Sequence, residues 1–162
     1  MAFGLSAASI TYDTSVVGTN GSGETVYRYV FNLQDVQLLL NQELNIGFAV
    51  ATYQSLLNGV APGQFDLLLL QPNQPFGADG VYSLFALVNQ PSMLGEFRVD
   101  FTLVSGQSLA GLAFVVSQFD VNGGFLNTVT SGLTEIPEPS TWVLATSGMF
   151  FAGLMKVSRQ RR

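Results

Sequence analysis

Glu96, Arg98 and Asp100 occupy alternate positions of the stretch GEFRVDFTLV, residues 95–104. In an extended chain residues two apart share a face, so both carboxylates would stand on one side of a strand with a guanidinium between them. Two carboxylates on one surface are the minimal equipment of a glycoside hydrolase, one acting as proton donor and the other ionised. The same alternation describes the solvated face of a half-buried strand, and that is the expectation adopted here. Under it, Asp100→Asn changes stability by no more than about 0.5 kcal/mol. DVNGG (Asp120–Gly124) opens like a calcium loop but lacks the remaining carboxylates and the distal Glu of such loops. Asn122-Gly123 between two strand candidates is better explained as a hairpin turn, because both residues accept positive φ. The chain has no Cys and no His, which removes the usual zinc ligands, the Ser-His-Asp triad and the Cys-His nucleophile pair. No metal, no cofactor and no catalytic residue is expected.

The elements that would position these residues read as strands. Hydrophobic residues make up 48% of the chain and charged ones 10%, with 17 Gly and 13 Phe, a balance that disfavours helix bundles and favours short strands with tight turns. Period-two alternation puts Tyr27, Tyr29, Phe31 and Leu33 on one face, then Leu44, Ile46 and Phe48, then Phe97, Val99, Phe101 and Leu103. Asp66–Leu70, Val81–Val88 and Leu112–Phe119 are denser in apolar residues, as central strands covered on both faces are. Phe125–Thr130 closes the set. Gly18–Gly23, Asn58–Gly63 and Gln71–Gly80 read as loops, the last exposing Phe76. ATYQSLLNG alone suggests a helical turn, with Tyr53, Leu56 and Leu57 at helical spacing. The fold class is therefore all-β: an antiparallel β-sandwich of seven or eight strands over residues 9–135. Its expected core includes Phe31, Phe48, Phe97, Phe101 and Phe119. Thr102, Thr128 and Thr130 are too scattered for a regular ice-binding array. Residues 1–8 read equally as the last part of a secretory signal, with small residues before a cut after Ala8, and as an ordinary lead into the first strand.

Charge is divided unevenly. Residues 1–136 hold ten acids against Arg28 and Arg98, a net −8 that repels phosphate backbones and makes a nucleic-acid partner improbable. Residues 137–162 hold Glu138 against Lys156, Arg159, Arg161 and Arg162. Pro137 and Pro139 keep IPEP extended and outside any helix or sheet ladder, and Ser140 or Thr141 can then cap a helix. From Pro139 to Met155 the chain is uncharged for 17 residues, which as a helix spans ~26 Å against a hydrocarbon core of ~30 Å. Trp142 suits one interface, Val143, Leu144, Met149, Phe150, Phe151, Leu154 and Met155 fill the span, and Lys156 can snorkel at the other side. The basic cluster would stay cytoplasmic, leaving the sandwich outside the cytoplasmic membrane.

Pro-Glu-Pro, an apolar helix and an Arg-rich end, in this order at a C-terminus, resemble the PEP-CTERM sorting signal of bacterial exopolysaccharide producers. PEPSTWVLATSG lies close to the usual wording of that signal, and the likeness covers about residues 136–162. Two features depart from the pattern: Gln160 and the spacing of Lys156 and Arg159 interrupt the basic cluster, and a complete N-terminal signal is missing from this sequence. The resemblance implies that Pro137, Glu138 and Pro139 are the element recognised by exosortase, a membrane-embedded transpeptidase-like enzyme. It further implies that the helix holds the protein in the membrane until processing sends the body to the cell surface or matrix. The expected protein is a non-enzymatic surface module that binds or structures exopolysaccharide; the competing expectation is a secreted or periplasmic carbohydrate-active hydrolase on a sandwich. An anchor of this kind is testable by fractionation in a host lacking exosortase: full-length chain should require detergent for extraction and a chain ending at Glu135 should not. Equal solubility of the two removes the anchor.

Overall fold

The structure, a computed structural model, describes residues 9–135. Nine strands follow one another: β1 (Thr11–Thr19), β2 (Thr25–Asn32), β3 (Gln42–Phe48), β4 (Tyr53–Val60), β5 (Phe65–Leu70), β6 (Gly80–Ala86), β7 (Phe97–Leu103), β8 (Ala113–Phe119) and β9 (Phe125–Leu133). They form two antiparallel sheets, one of four strands in the order β1-β2-β7-β4 and one of five in the order β5-β6-β3-β8-β9. The all-β sandwich expected from the alternation is therefore present. In β2, Tyr29 and Phe31 face the core; in β3, Leu44, Ile46 and Phe48 do so; in β7, Phe97, Val99 and Phe101 do so.

The two sheets meet through aromatic rings. Tyr29 lies with its centroid 4.4 Å from Tyr12 and 4.3 Å from Phe101. Phe48 reaches across from the five-stranded sheet to Tyr53 at 4.9 Å in an edge-to-face contact, a favoured geometry for ring quadrupoles. Phe31 meets Tyr82, and Phe65 meets Phe97, each pair spanning the sheets at 5.4 Å. Burying a hydroxyl requires a partner, and each of these tyrosines has one. Tyr29 and Tyr53 share a hydrogen bond of 3.1 Å, Tyr12 and Tyr53 both donate to the carbonyl of Ala110 at 3.3 Å, and Tyr82 donates to the carbonyl of Val60 at 2.6 Å. Burial pushes the Tyr12, Tyr29, Tyr53 and Tyr82 hydroxyls above the ordinary tyrosine value, so they stay neutral donors.

Several expectations need correction. ATYQSLLNG is not a helical turn, because Tyr53–Val60 is strand β4. Its pairing with β7 slips between Tyr53 and Ser55, and the extra residue of that bulge turns both Tyr53 and Leu56 inward, imitating a helical i, i+3 pair. Asn58–Val60 belong to the same strand rather than to a loop. DLLLL forms part of an edge strand, β5, and not of a central one: Leu68 and Leu70 are exposed. β1 escaped the alternation because only its first residues are buried. Phe119 lies outside the core, among partly exposed residues.

The chain closes on itself where the described residues end. Glu135 bridges Thr11 in parallel and its amide donates to the carbonyl of Ile10 at 2.8 Å. In urea melts, Phe101→Ala should cost about 3–5 kcal/mol, the usual penalty for emptying a core aromatic site. Phe76→Ala, at a position 94% exposed, should stay within about 0.5 kcal/mol.

Candidate functional site

Arg98 and Asp100 do share a face of β7, with the exposed Glu96 one residue before the strand, but Asp100 itself is not solvated. β7 lies between β2 and β4, and the register sets Arg28 of β2 opposite Asp100. Asp100 is 2% exposed. Its Oδ1 accepts from Arg28 Nε at 2.7 Å, and its Oδ2 accepts from Arg28 Nη2 and from Asn58 Nδ2, each at 3.0 Å. Asn58 reaches this position from a left-handed backbone, φ 47°, where the β4 pairing slips a second time. Burial alone would push the Asp100 carboxyl up; the bonds and charge of Arg28, with Asn58 and Arg98, outweigh it and hold the group below its ordinary value. Glu96 pairs with Arg98 at 2.7 Å. A carboxylate held ionised with both oxygens occupied is not poised to give up a proton. The pair is a charge cluster that ties three strands, and it engages both arginines of the sandwich.

The other expected candidates resolve into local structure. Asp120 caps the β8–β9 hairpin, its Oδ1 accepting from the amides of Asn122 at 2.8 Å and Gly124 at 2.7 Å. The turn needs only Gly123 at positive φ, 82°. No group of three or more Asp, Glu, His or Cys suited to a metal occurs among the described residues. The Gln71–Gly80 connection is tied down by Gln71, whose side-chain amide accepts from the Leu56 amide at 2.9 Å and donates to the Leu56 carbonyl at 2.8 Å. Phe76 is exposed there as expected. A cleft of ≈ 410 Å³ opens between the β2–β3 and β6–β7 connections. Amides of Gln34, Gln37 and Gln90 line it over Val36, Leu38 and Met93, and none of its lining groups can carry a charge.

The most distinctive surface is the outer face of the five-stranded sheet, which sequence reasoning missed. Strand register sets one residue per strand in a row: Asp66 beside Phe85, Phe85 beside Glu43, Glu43 beside Ser117 and Ser117 beside Thr128. Phe119 and Phe125 extend the row, with centroids 6.3 Å from Phe85 to Phe119 and 6.0 Å from Phe119 to Phe125. Phe85 and Phe119 are half-buried and Phe125 is exposed. Glu43 accepts a hydrogen bond from Ser83, which orients its carboxylate within the face. The five strands of this sheet contain no Lys or Arg. Rings flanked by carboxylates and hydroxyls offer an apolar platform to the C–H face of a sugar and acceptors to its hydroxyls. One signal in the sequence reaches this face: Leu112, Phe114 and Val116 point inward, so an odd count along β8 turns Phe119 outward.

No protein-family model, no curated protein and no solved structure matches the chain. The sorting-motif residues Pro137, Glu138 and Pro139, the proposed span Trp142–Met155 and the basic residues Lys156, Arg159, Arg161 and Arg162 lie outside the described residues, as do residues 1–8. Among the described residues no helix is long and apolar enough to cross a membrane.

Because Asp100 is buried and ion-paired, the near-neutral effect expected for Asp100→Asn is replaced by a loss of about 1–3 kcal/mol at neutral pH. The carboxyl sits below its ordinary 3.8 when folded, so its stabilisation is complete above that value and is lost as pH falls through the folded value. Chemical melts from pH 6 to pH 2 should therefore show a shallower acid loss for Asp100→Asn than for wild type. Parallel curves would mean that Arg28 does not hold this carboxylate in solution.

Proposed function

We propose that this chain is a non-enzymatic surface protein of the PEP-CTERM type, anchored by its tail with the sandwich outside the cytoplasm and delivered by exosortase to the cell surface or matrix. The observation that carries the reading is the order of Pro-Glu-Pro, uncharged span and basic end over residues 137–162. It is compatible with the fold, in which Glu135, two residues before the motif, bridges Thr11. There the body contacts neutral exopolysaccharide through Phe85, Phe119 and Phe125 with Asp66 and Glu43. A face with two carboxylates and no base repels anionic glycans and accepts hydroxyl donors. The hydrolase reading loses its motivation, because Asp100 is committed to Arg28 and Asn58.

Two measurements separate the parts of this proposal. In an exosortase-bearing cell, Glu138→Gln and Pro137→Ala should abolish the processed form seen by mass spectrometry of the surface fraction, while the circular dichroism of the body is unchanged. Normal processing of both would reduce the motif to a linker. In pull-downs with neutral exopolysaccharide, Phe85→Ala should weaken retention about fivefold, the scale of one aromatic contact. Phe76→Ala, on a different surface, should leave it unchanged. Retention that ignores Phe85 would remove the glycan face and leave the sorting reading standing.

A further inference from the structure

The β2–β3 and β6–β7 connections each pass from one sheet to the other, and they meet where the Asn41 amide donates to the Ala86 carbonyl at 3.3 Å. The cleft of ≈ 410 Å³ between them is of the size that holds a small ligand. Both of its walls are fixed from within. On one side Val36 and Leu38 are each 1% exposed and belong to the core, and the Leu39 amide donates to the side-chain oxygen of the buried Gln42 at 2.9 Å. On the other side the Leu87 amide donates to the Gln64 carbonyl at 3.0 Å and the Ser92 amide to the Gln64 side-chain oxygen at 2.6 Å. Within this frame three side-chain amides are uncommitted. Gln42, Gln64 and Gln71 bond to backbone groups through their side chains. Those of Gln34, Gln37 and Gln90, exposed on the cleft, bond to none of the described residues. Gln90 is held there at φ 52°, a left-handed backbone that is costly for a residue with a β-carbon and recurs at ligand clamps.

We propose that this cleft is a binding site for a single neutral hexose unit. Its lining carries no charge and no aromatic ring, so neither an ion nor a stacked base is answered there. Peptides are recognised through an open strand edge, a long apolar groove, aromatic slots for proline or Arg clusters. The walls of this cleft are connections rather than strands, and they supply none of these. A sugar fits what is present. Its hydroxyls both donate and accept, and each primary amide of Gln34, Gln37 and Gln90 does the same. Its C–H surface can lie on the aliphatic floor of Val36, Leu38 and Met93, where a charged ligand would lose its hydration without a partner. The site is separate from the Phe85–Phe119–Phe125 row, and it depends neither on glycan binding at those rings nor on sorting.

Nuclear magnetic resonance of the full-length protein, in micelles of a detergent without a sugar headgroup, reads the three amides directly. Glucose, galactose, mannose and N-acetylglucosamine are the probes. At least one should shift the side-chain NH₂ signals of Gln34, Gln37 and Gln90 together, with a Kd of about 1–10 mM, the scale for so small a ligand. Glucuronate, which brings a charge, should bind about tenfold more weakly. Gln90→Gly removes one amide at a backbone conformation that glycine adopts freely, so the fold is kept. It should weaken binding about fivefold, the scale of one hydrogen bond, and Gln37→Met should do the same. Phe85→Ala should leave the Kd unchanged. No saturable shift with any of the four sugars, glucuronate binding as tightly as they do, or a wild-type Kd in Gln90→Gly overturns the proposal. Weakening by Phe85→Ala as large as that by Gln90→Gly overturns it in favour of the ring face, and displacement of the sugar by triglycine amide overturns it in favour of a peptide.

Discussion

The ring of Tyr29 is the point on which both sheets close. It meets Tyr12 on the strand beside it edge-to-face, packs tilted against Phe101 in its own sheet, and lies 6.2 Å from Phe48 across the sandwich. A tyrosine can occupy such a place only if its hydroxyl is satisfied, and Tyr53 satisfies it. Tyr53 in turn reaches the carbonyl of Ala110 in the β7–β8 connection. The sheets are therefore held by ring packing, while a short chain of hydroxyls ties β2 and β4 of the four-stranded sheet to the β7–β8 connection. Fixing Phe101 inward fixes Asp100 outward, because neighbours on a strand point to opposite faces. That carboxylate then needs Arg28, which is why the Arg28–Asp100 pair lies directly behind the aromatic cluster.

This commitment of charge shapes the outside of the molecule. Arg28 and Arg98 are both engaged by carboxylates of the four-stranded sheet, which leaves the five-stranded sheet without a cation on its strands. Its outer surface presents rings, hydroxyls and two carboxylates without a base on its strands. The same strand order that closes the fold leaves β9 at an edge of the five-stranded sheet among the described residues.

The alternation of β2, β3 and β7 was legible because each sets its apolar residues at every second position, although the polar face of β7 is buried too at Asp100 and Thr102. The β8–β9 hairpin was legible from Asn122-Gly123, although only Gly123 takes the positive φ. β4 was misread because a bulge between Tyr53 and Ser55 converts period two into the i, i+3 spacing of a helix. The leucines of Asp66–Leu70 suggested a central strand, yet composition cannot tell a strand covered on both faces from an edge strand that exposes Leu68 and Leu70. Asp100 was misplaced for a related reason: its burial depends on Arg28 and Asn58, 72 and 42 residues away in sequence, and no local pattern carries that. The aromatic row across β6, β8 and β9 is likewise a product of register between distant segments.

The proposed division into body and tail requires the sandwich to be complete without residues 136–162. Amide chemical shifts and hydrogen-exchange rates of residues 9–135, measured in the isolated segment and in the full-length chain in detergent micelles, test this most directly. The same pattern should appear in both, with the slowest exchange in β2, β3 and β7 around Tyr29 and no change at the Thr11–Glu135 bridge. Loss of protection throughout the isolated segment, or shifts spread across both sheets, would show that the tail is part of the fold and contradict the division into cargo and address.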